Sequence, residues 1–146
     1  MNFYNIPFSK LTTQQLFSIY KLRALVFIVE QNCAYQDIDE HDLVAYHVLI
    51  IENDELVAYA RILPPNTNYP QPSIGRVVVN PSHRAKKIGQ QLMMYTIKQT
   101  QHLFAQQQIV ISAQSYLLNF YINLGFKTSG NEYLEDNIPH TKMYLS

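Results

Sequence analysis

Val77-Val78-Val79-Asn80-Pro81-Ser82-His83-Arg84-Ala85-Lys86-Lys87-Ile88-Gly89-Gln90-Gln91-Leu92 decides how this chain folds. Three β-branched residues close on Asn-Pro, a strand and its stop. A short basic turn follows, then Gly89, then apolar residues at helical spacing. Strand, loop and helix N-terminus therefore come in direct succession. A helix N-terminus presents unpaired N–H groups and about half a positive charge, so it attracts phosphate. Arg84, Lys86 and Lys87 add mobile charge at the same place. The segment is an anion cradle suited to a phosphorylated cofactor.

Outward from this segment, residues 90–104 continue the helix, with Ile88, Leu92, Tyr95 or Thr96, and Leu103 toward the core. The apolar run 109–113 is expected to pair parallel to Val77, Val78 and Val79 across a right-handed helical crossover. Residues 117–124 form a short helix that Gly125 closes. A further strand holds Phe126-Lys127 and Tyr133-Leu134, and Asp136-Asn137 turns it into a last strand ending near Leu145. Upstream, the near-continuous valines make 74–79 a strand buried on both faces. Strands 46–51 and 56–63 form a hairpin about Asn53-Asp54, and the Pro-rich 64–72 is a loop. Thr12-x-x-Gln15 is a capping box opening a helix whose face carries Leu16, Ile19, Tyr20, Arg23 and Phe27. Residues 3–6 are a short edge strand that Pro7 ends, and 33–42 is an acidic, irregular connection. The expected class is α/β: a mixed, mostly antiparallel central sheet with helices on both faces. Its order is β-α-α-β-β-β-α-β-α-β-β, in one domain over 1–146.

The bulk properties narrow the function. A chain of 146 residues with 47% hydrophobic content can bury one core. Eleven basic and eleven acidic residues cancel, which argues against nucleic acid or an anionic membrane as partner. The basic cluster is thus local and sized for a small anion. A single cysteine, Cys33, allows no internal disulfide and fits a reducing cytoplasm. The first residues carry no signal-peptide pattern, and no apolar stretch nears the roughly 20 residues that span a bilayer. No metal is expected.

Two landmarks resemble those of the GNAT acetyltransferases. The family signature Arg/Gln-x-x-Gly-x-Gly/Ala reads here Arg84-Ala85-Lys86-Lys87-Ile88-Gly89, with lysine where the first glycine is expected. The second is Asn119-Phe120-Tyr121-Ile122-Asn123-Leu124-Gly125-Phe126. Further segments, among them Tyr35-Gln36-Asp37-Ile38-Asp39, Gly75-Arg76-Val77 and Ile138-Pro139-His140, are similar to the ElaA-like branch. The resemblance covers nearly the whole chain and implies the acyl-CoA N-acyltransferase fold and acetyl-CoA binding. It implies a pantetheine arm between the strands at Val77–Val79 and 109–113, which splay apart. Backbone groups of Val77 and Val79 would pair with its amides, with Val78 or Val79 N–H near the thioester carbonyl. The pyrophosphate would sit on N–H groups of Ala85, Lys86, Lys87, Ile88 and Gly89, beside Arg84 and Gln90, with Asn119 and Tyr121 on the cofactor as well. Glycine at position 87 would permit positive φ. With lysine, either the backbone there is ordinary helix or the side chain points out and adds charge to the phosphates. The resemblance also allows a homodimer.

The implied reaction is attack of a small-molecule or peptide amine on the thioester. An alkylammonium must lose a proton first, and the departing sulfur benefits from gaining one. Tyr121 is the candidate general acid; its bland alternative is a packed aromatic. Candidate bases are Glu30, His47 and His140. Glu30 shares a helical face with Arg23 and Phe27, so it either faces the acceptor slot or pairs with Arg23. A strand histidine such as His47 is more often core than catalytic. Arg61 and Arg76 lie inside adjacent apolar strands, where unpaired charge is expensive. They need an anion: Glu30, an acceptor carboxylate or an internal partner. Arg23, Phe27, Glu30, Arg61 and Arg76 are therefore the candidate acceptor-binding set. The acidic run Asp37, Asp39 and Asp42 is either a solvated face or a steering field for a cationic amine. The leading expectation is a cytoplasmic N-acetyltransferase. The alternatives are a CoA-binding sensor or interaction module without turnover, and a transferase using another acyl donor such as succinyl-CoA.

Overall fold

Two-residue turns with both residues at positive φ set the hairpins. Asn53 and Asp54 have φ of 52° and 62°, Asp136 and Asn137 50° and 63°. That is the primed turn whose twist matches paired strands, and Asn and Asp tolerate it better than most side chains. The computed structural model describes residues 1–105 and 107–146. Its strands are β1 (Asn2–Pro7), β2 (Tyr46–Glu52), β3 (Glu55–Leu63), β4 (Ser73–Val79), β5 (Ile109–Gln114), β6 (Lys127–Glu135) and β7 (Ile138–Leu145). Its α-helices are α1 (Thr13–Arg23), α2 (Ile88–Leu103) and α3 (Leu118–Asn123). The sheet order is β1-β2-β3-β4-β5-β7-β6, antiparallel except between β4 and β5. The expected mixed α/β sandwich is present.

Strand alternation sorts the core into two layers. Val48, Ile50, Ala58, Ala60, Ile111, Ala113 and Met143 pack with Ile88, Leu92, Met93 and Ile97 of α2, and with Tyr121 and Phe126. Leu49, Tyr59 and Val78 face the other way, against Ile19, Leu22, Val26 and Phe27. The helix α1 opens on the expected capping box, with Thr12 and Gln15 bonding reciprocally. It then widens into a π-helical segment, Ala24–Glu30, with Gln31 N–H reaching Val26 and Cys33 N–H reaching Ile28. Each widened turn holds one more residue than an α-turn. Arg23 is buried in the interior, whereas Phe27 and Glu30 both line one opening, so the face expected to carry all three carries two of them.

The strand β4 departs from expectation in two ways. Tyr59 pairs with Val78 while Arg61 pairs with Gly75, so Arg76 and Val77 together oppose Ala60. This is a β-bulge, and Arg76 sits in it at φ 52°. Beyond the bulge β4 leaves β5. The two strands are paired at Ser73–Val110 and not along Val77, Val78 and Val79. Val78 is buried, but Val77 and Val79 are only half-buried because they face the opening so formed.

Candidate active site

The splay between β4 and β5 opens a cleft of about 820 Å³. Val77, Val79, Gly89 and Phe120 line one part of it, and Tyr121 reaches it from α3. A Cβ on Gly89 would lie 3.7 Å from Val79 and 3.8 Å from Phe120, ordinary contact distances. The missing side chain leaves space on the cleft wall, where a bound molecule can approach the backbone. Gly125 closes α3 at φ 103°. The turn after it sends Phe126 beneath Tyr121, ring centres 6.0 Å apart, which fixes the tyrosine.

Tyr121 is buried, and its hydroxyl bonds to no other described residue. Burial, helped by Tyr116, pushes its phenol well above the ordinary value. It therefore keeps its proton and can donate it. Asn119 lies exposed on the same helix.

The basic loop folds as a 3₁₀ segment, Pro81–Lys86, ahead of α2. Lys87 caps α2 at φ 57° and ψ 23°, in the left-handed region. The ordinary-helix alternative for this position is therefore excluded. A glycine adopts this geometry freely, whereas lysine loses about 1 kcal/mol or more. The Lys87 side chain is exposed, as are Ala85, Lys86 and Gln90, while Ile88 is buried in the core. Arg84 is already engaged: its guanidinium grips Glu30 through two bonds of 2.9 and 2.6 Å. Glu30 thus pairs across the cleft mouth with the basic loop, not with Arg23.

The three buried or half-buried arginines find their anions in the acidic run. Arg23 is fully buried; its Nε donates to Asp37 at 3.1 Å and its Nη1 to Asp42 at 2.7 Å. Arg61 donates to Asp39 at 2.8 Å and to Asp42 at 3.1 Å, and Arg76 to Asp37 at 2.7 Å. Arg61 and Arg76 do meet, and they share Asp39. Burial opposes the charges of Arg23 and Asp42, but the bonds between them outweigh it. Arg23 is held above its usual range and Asp42 below its own. Asp37 and Asp42 are 6% and 1% exposed, so the run is not a solvated face. Arg23 has no surface to offer a substrate, whereas Phe27, Arg61 and Arg76 do line the cleft.

His47 belongs to this interior. The Tyr59 hydroxyl donates to its Nδ1 at 2.6 Å, and its Nε2 donates to the Asp42 carbonyl at 3.0 Å. It is fully buried, and that burial lowers its pKa. Both ring nitrogens are spent and the ring is outside the cleft lining, so this geometry gives it no route to a substrate.

His140 is different. It lines the cleft on β7, stacked on Tyr133, with its Nδ1 donating to the Ile138 carbonyl at 2.7 Å. Its Nε2 lies 3.4 Å from Glu135. Ser112 of β5 bonds to the Tyr133 hydroxyl and reaches Glu135 at 3.4 Å. Tyr69 covers this group; burial, Tyr133 and Glu135 push its phenol up to about 12. Sequence reasoning missed Ser112, Tyr133 and Glu135. The signal was there in part: Ser112 and Gln114 alternate with Ile111 and Ala113, as His140 and Lys142 alternate with Thr141 and Met143. Polar residues at every second position of a central sheet mark a face that no helix covers.

A splayed parallel strand pair, the N-terminus of α2 with its basic 3₁₀ segment at one end and a protonated tyrosine at the wall define an acyl-CoA transferase scaffold. A family model described as acetyltransferase (GNAT) domain matches residues 11–146. The chain belongs to the GNAT acetyltransferase family, and within it to the ElaA-like branch. Protein ElaA of Escherichia coli is 45% identical over 137 residues, covering 92% of this chain and 90% of ElaA. The crystal structure of Escherichia coli ElaA superposes with a TM-score of 0.93, covering 99% of each chain. An acyl-CoA N-acyltransferase from Pseudomonas aeruginosa, 34% identical, gives 0.94 with 99% of each chain covered. An aminoglycoside 6'-N-acetyltransferase complexed with coenzyme A shares the fold at 16% identity and a TM-score of 0.72, covering 99% of this chain and 96% of that one. Among the described residues, no helix is long and apolar enough to cross a membrane.

Proposed function

We propose that this chain is a single-domain N-acetyltransferase that moves the acetyl group of acetyl-CoA onto a primary amine of a small molecule or peptide. The observation that carries this is the cleft between β4 and β5, with a protonated, unpartnered Tyr121 hydroxyl beside it. When bound, acetyl-CoA supplies an activated acyl group on a thiol leaving group. The β5-facing backbone groups of Val77 and Val79, left without a strand partner, take the amides of its arm. The N–H groups from Ala85 to Gly89 hold its pyrophosphate, with Lys86, Lys87 and Gln90 around them and Asn119 nearby. Arg84 joins them by releasing Glu30. The Val79 N–H, on the side of β4 away from β3, polarises the carbonyl, and Tyr121 protonates the sulfur. Glu30, held by Arg84 at the rim, is better placed to gate the cofactor than to act as base. The lone cysteine, half-buried Cys33, is in keeping with a cytoplasmic place.

The test is calorimetric binding of acetyl-CoA together with thiol release on a panel of primary amines. Tyr121→Phe should bind acetyl-CoA as the wild type does and lose about 10²-fold in kcat. A wild type that binds acetyl-CoA and turns over no amine would identify a CoA-binding module instead.

A further inference from the structure

We propose that Glu135 and His140 form the acceptor seat, and that the acceptor is a primary alkylamine with no carboxylate beside its nitrogen. This rests on the N-acetyltransferase reading above. The seat lies on the sheet face turned away from α2. There Ser112 and Gln114 of β5, His140 of β7 and Glu135 at the end of β6 all line the cleft.

The neutral His140 ring calls for a donor. A carbonyl oxygen only accepts, so the 2.7 Å bond to Ile138 places the ring proton on Nδ1. In the neutral ring Nε2 is then a bare lone pair. With the ring neutral, that lone pair and a carboxylate oxygen of Glu135, 3.4 Å away, both accept from one donor; with a second ring proton, Nε2 and Glu135 pair directly. A group with several N–H bonds serves both acceptors of the neutral form, and an alkylammonium brings three. The other Glu135 oxygen is steadied from Ser112, itself bonded to Tyr133. Glu135 is 47% exposed at its side chain and faces no arginine or lysine in an ion pair among the described residues. Its charge is available to a ligand.

The same cleft is poorly equipped for an anion. The positive charges of Arg23, Arg61 and Arg76 are matched by Asp37, Asp39 and Asp42. The competing feature is the Arg61 Nε, which is buried without a partner among the described residues. It is the group an α-carboxylate would seek, so an amino acid is the natural rival acceptor.

In the step itself, the ammonium gives one proton to His140 Nε2. The freed nitrogen lone pair bonds to the thioester carbon. The C–S bond breaks, its electron pair stays on sulfur, and sulfur takes the Tyr121 proton. The new amide nitrogen sheds its surplus proton to the Tyr121 oxygen, and His140 loses its own to solvent. An ammonium and an acetyl thioester become an acetamide, a thiol and one proton.

Matched pairs test the proposal on the wild type alone: tyramine against tyrosine, phenethylamine against phenylalanine, 3-methylbutylamine against leucine. Each amine should exceed its amino acid about tenfold or more in kcat/KM. Glu135→Gln should raise the amine KM about tenfold, the worth of a charge-assisted hydrogen bond, with acetyl-CoA affinity unchanged. His140→Gln should lower kcat about 10²-fold, again with acetyl-CoA bound normally. Amino acids used as well as amines, or both variants turning over as wild type, would each overturn it, whereas an enzyme that binds acetyl-CoA and acetylates no amine at all would overturn the reading beneath it. Failure of the wild type to bind acetyl-CoA would overturn that reading too.

Discussion

The cluster around Asp42 and the cluster around Glu135 both bring charge to one cleft, yet the first is closed on itself and the second is open. In the first, Arg23 and Asp42 are 0% and 1% exposed and every carboxylate has a guanidinium. In the second, Glu135 is half exposed and has no arginine or lysine partner among the described residues, only the His140 Nε2 at 3.4 Å. The difference separates framework from chemistry. The first cluster holds the loop over 31–43 against β3 and β4, and of its guanidinium and carboxylate atoms only the Arg61 Nε is buried without a partner among the described residues. The open cluster is where a reactant can replace a missing partner.

Removing one member of the closed cluster should cost the most. Arg23→Ala would leave Asp42 and Asp37 short of their deepest partner, and stranding buried charge costs about 3–5 kcal/mol. Urea unfolding should show that loss, whereas Glu135→Gln, at an exposed site, should stay within about 0.5 kcal/mol of wild type. If the two variants unfolded alike, the division between closed and open clusters would be gone.

Acidity should probe the closed cluster next. An unfolded histidine titrates near 6.5, and burial holds folded His47 below that. The unfolded state therefore takes up the proton first. His47's contribution is complete above about pH 6.5, falls as pH drops below it, and levels once pH passes the folded value. Unfolding midpoints at about pH 7.5 and about pH 5.5 should differ in that direction. His47→Gln should flatten the slope; an unchanged slope would mean the ring protonates in place.

How much of this was legible follows the range of each interaction. The capping box at Thr12, the turns at Asn53-Asp54 and Asp136-Asn137, and the βαβ crossover are local and readable from the sequence. The π-helical segment is not, because an α-helix of the same residues is equally allowed by pattern, and tertiary packing chooses between them. Glu30 at its end pairs with Arg84, 54 residues away, and not with Arg23. The bulge at Arg76 has no local signal either, since arginine does not favour positive φ. The charges on Arg61 and Arg76 did announce a buried anion, but which anion depended on how the connection after α1 folds back over the sheet. The basic segment ahead of α2 was readable as a motif. The polar floor at Ser112, Tyr133, Glu135 and His140 required three strands in register.

Lys87 gives the smallest effect, and it tests the cleft's cofactor end against both clusters. At φ 57° a lysine is strained by about 1–2 kcal/mol relative to a residue without Cβ. Glycine removes that strain but adds freedom to the unfolded chain, about 0.5–1 kcal/mol in the opposite direction. The two nearly cancel, so Lys87→Gly should shift unfolding by less than about 1 kcal/mol. Its effect on acetyl-CoA is of another kind. An exposed ammonium beside a pyrophosphate acts over the Debye length, about 10 Å at 0.1 M salt and far less at 1 M. Lys87→Gly should therefore weaken acetyl-CoA binding severalfold at low salt, with the difference closing as salt rises. Tighter binding by the glycine variant at every salt concentration would mean that the lysine only obstructs the loop, and that the backbone N–H groups hold the phosphates unaided.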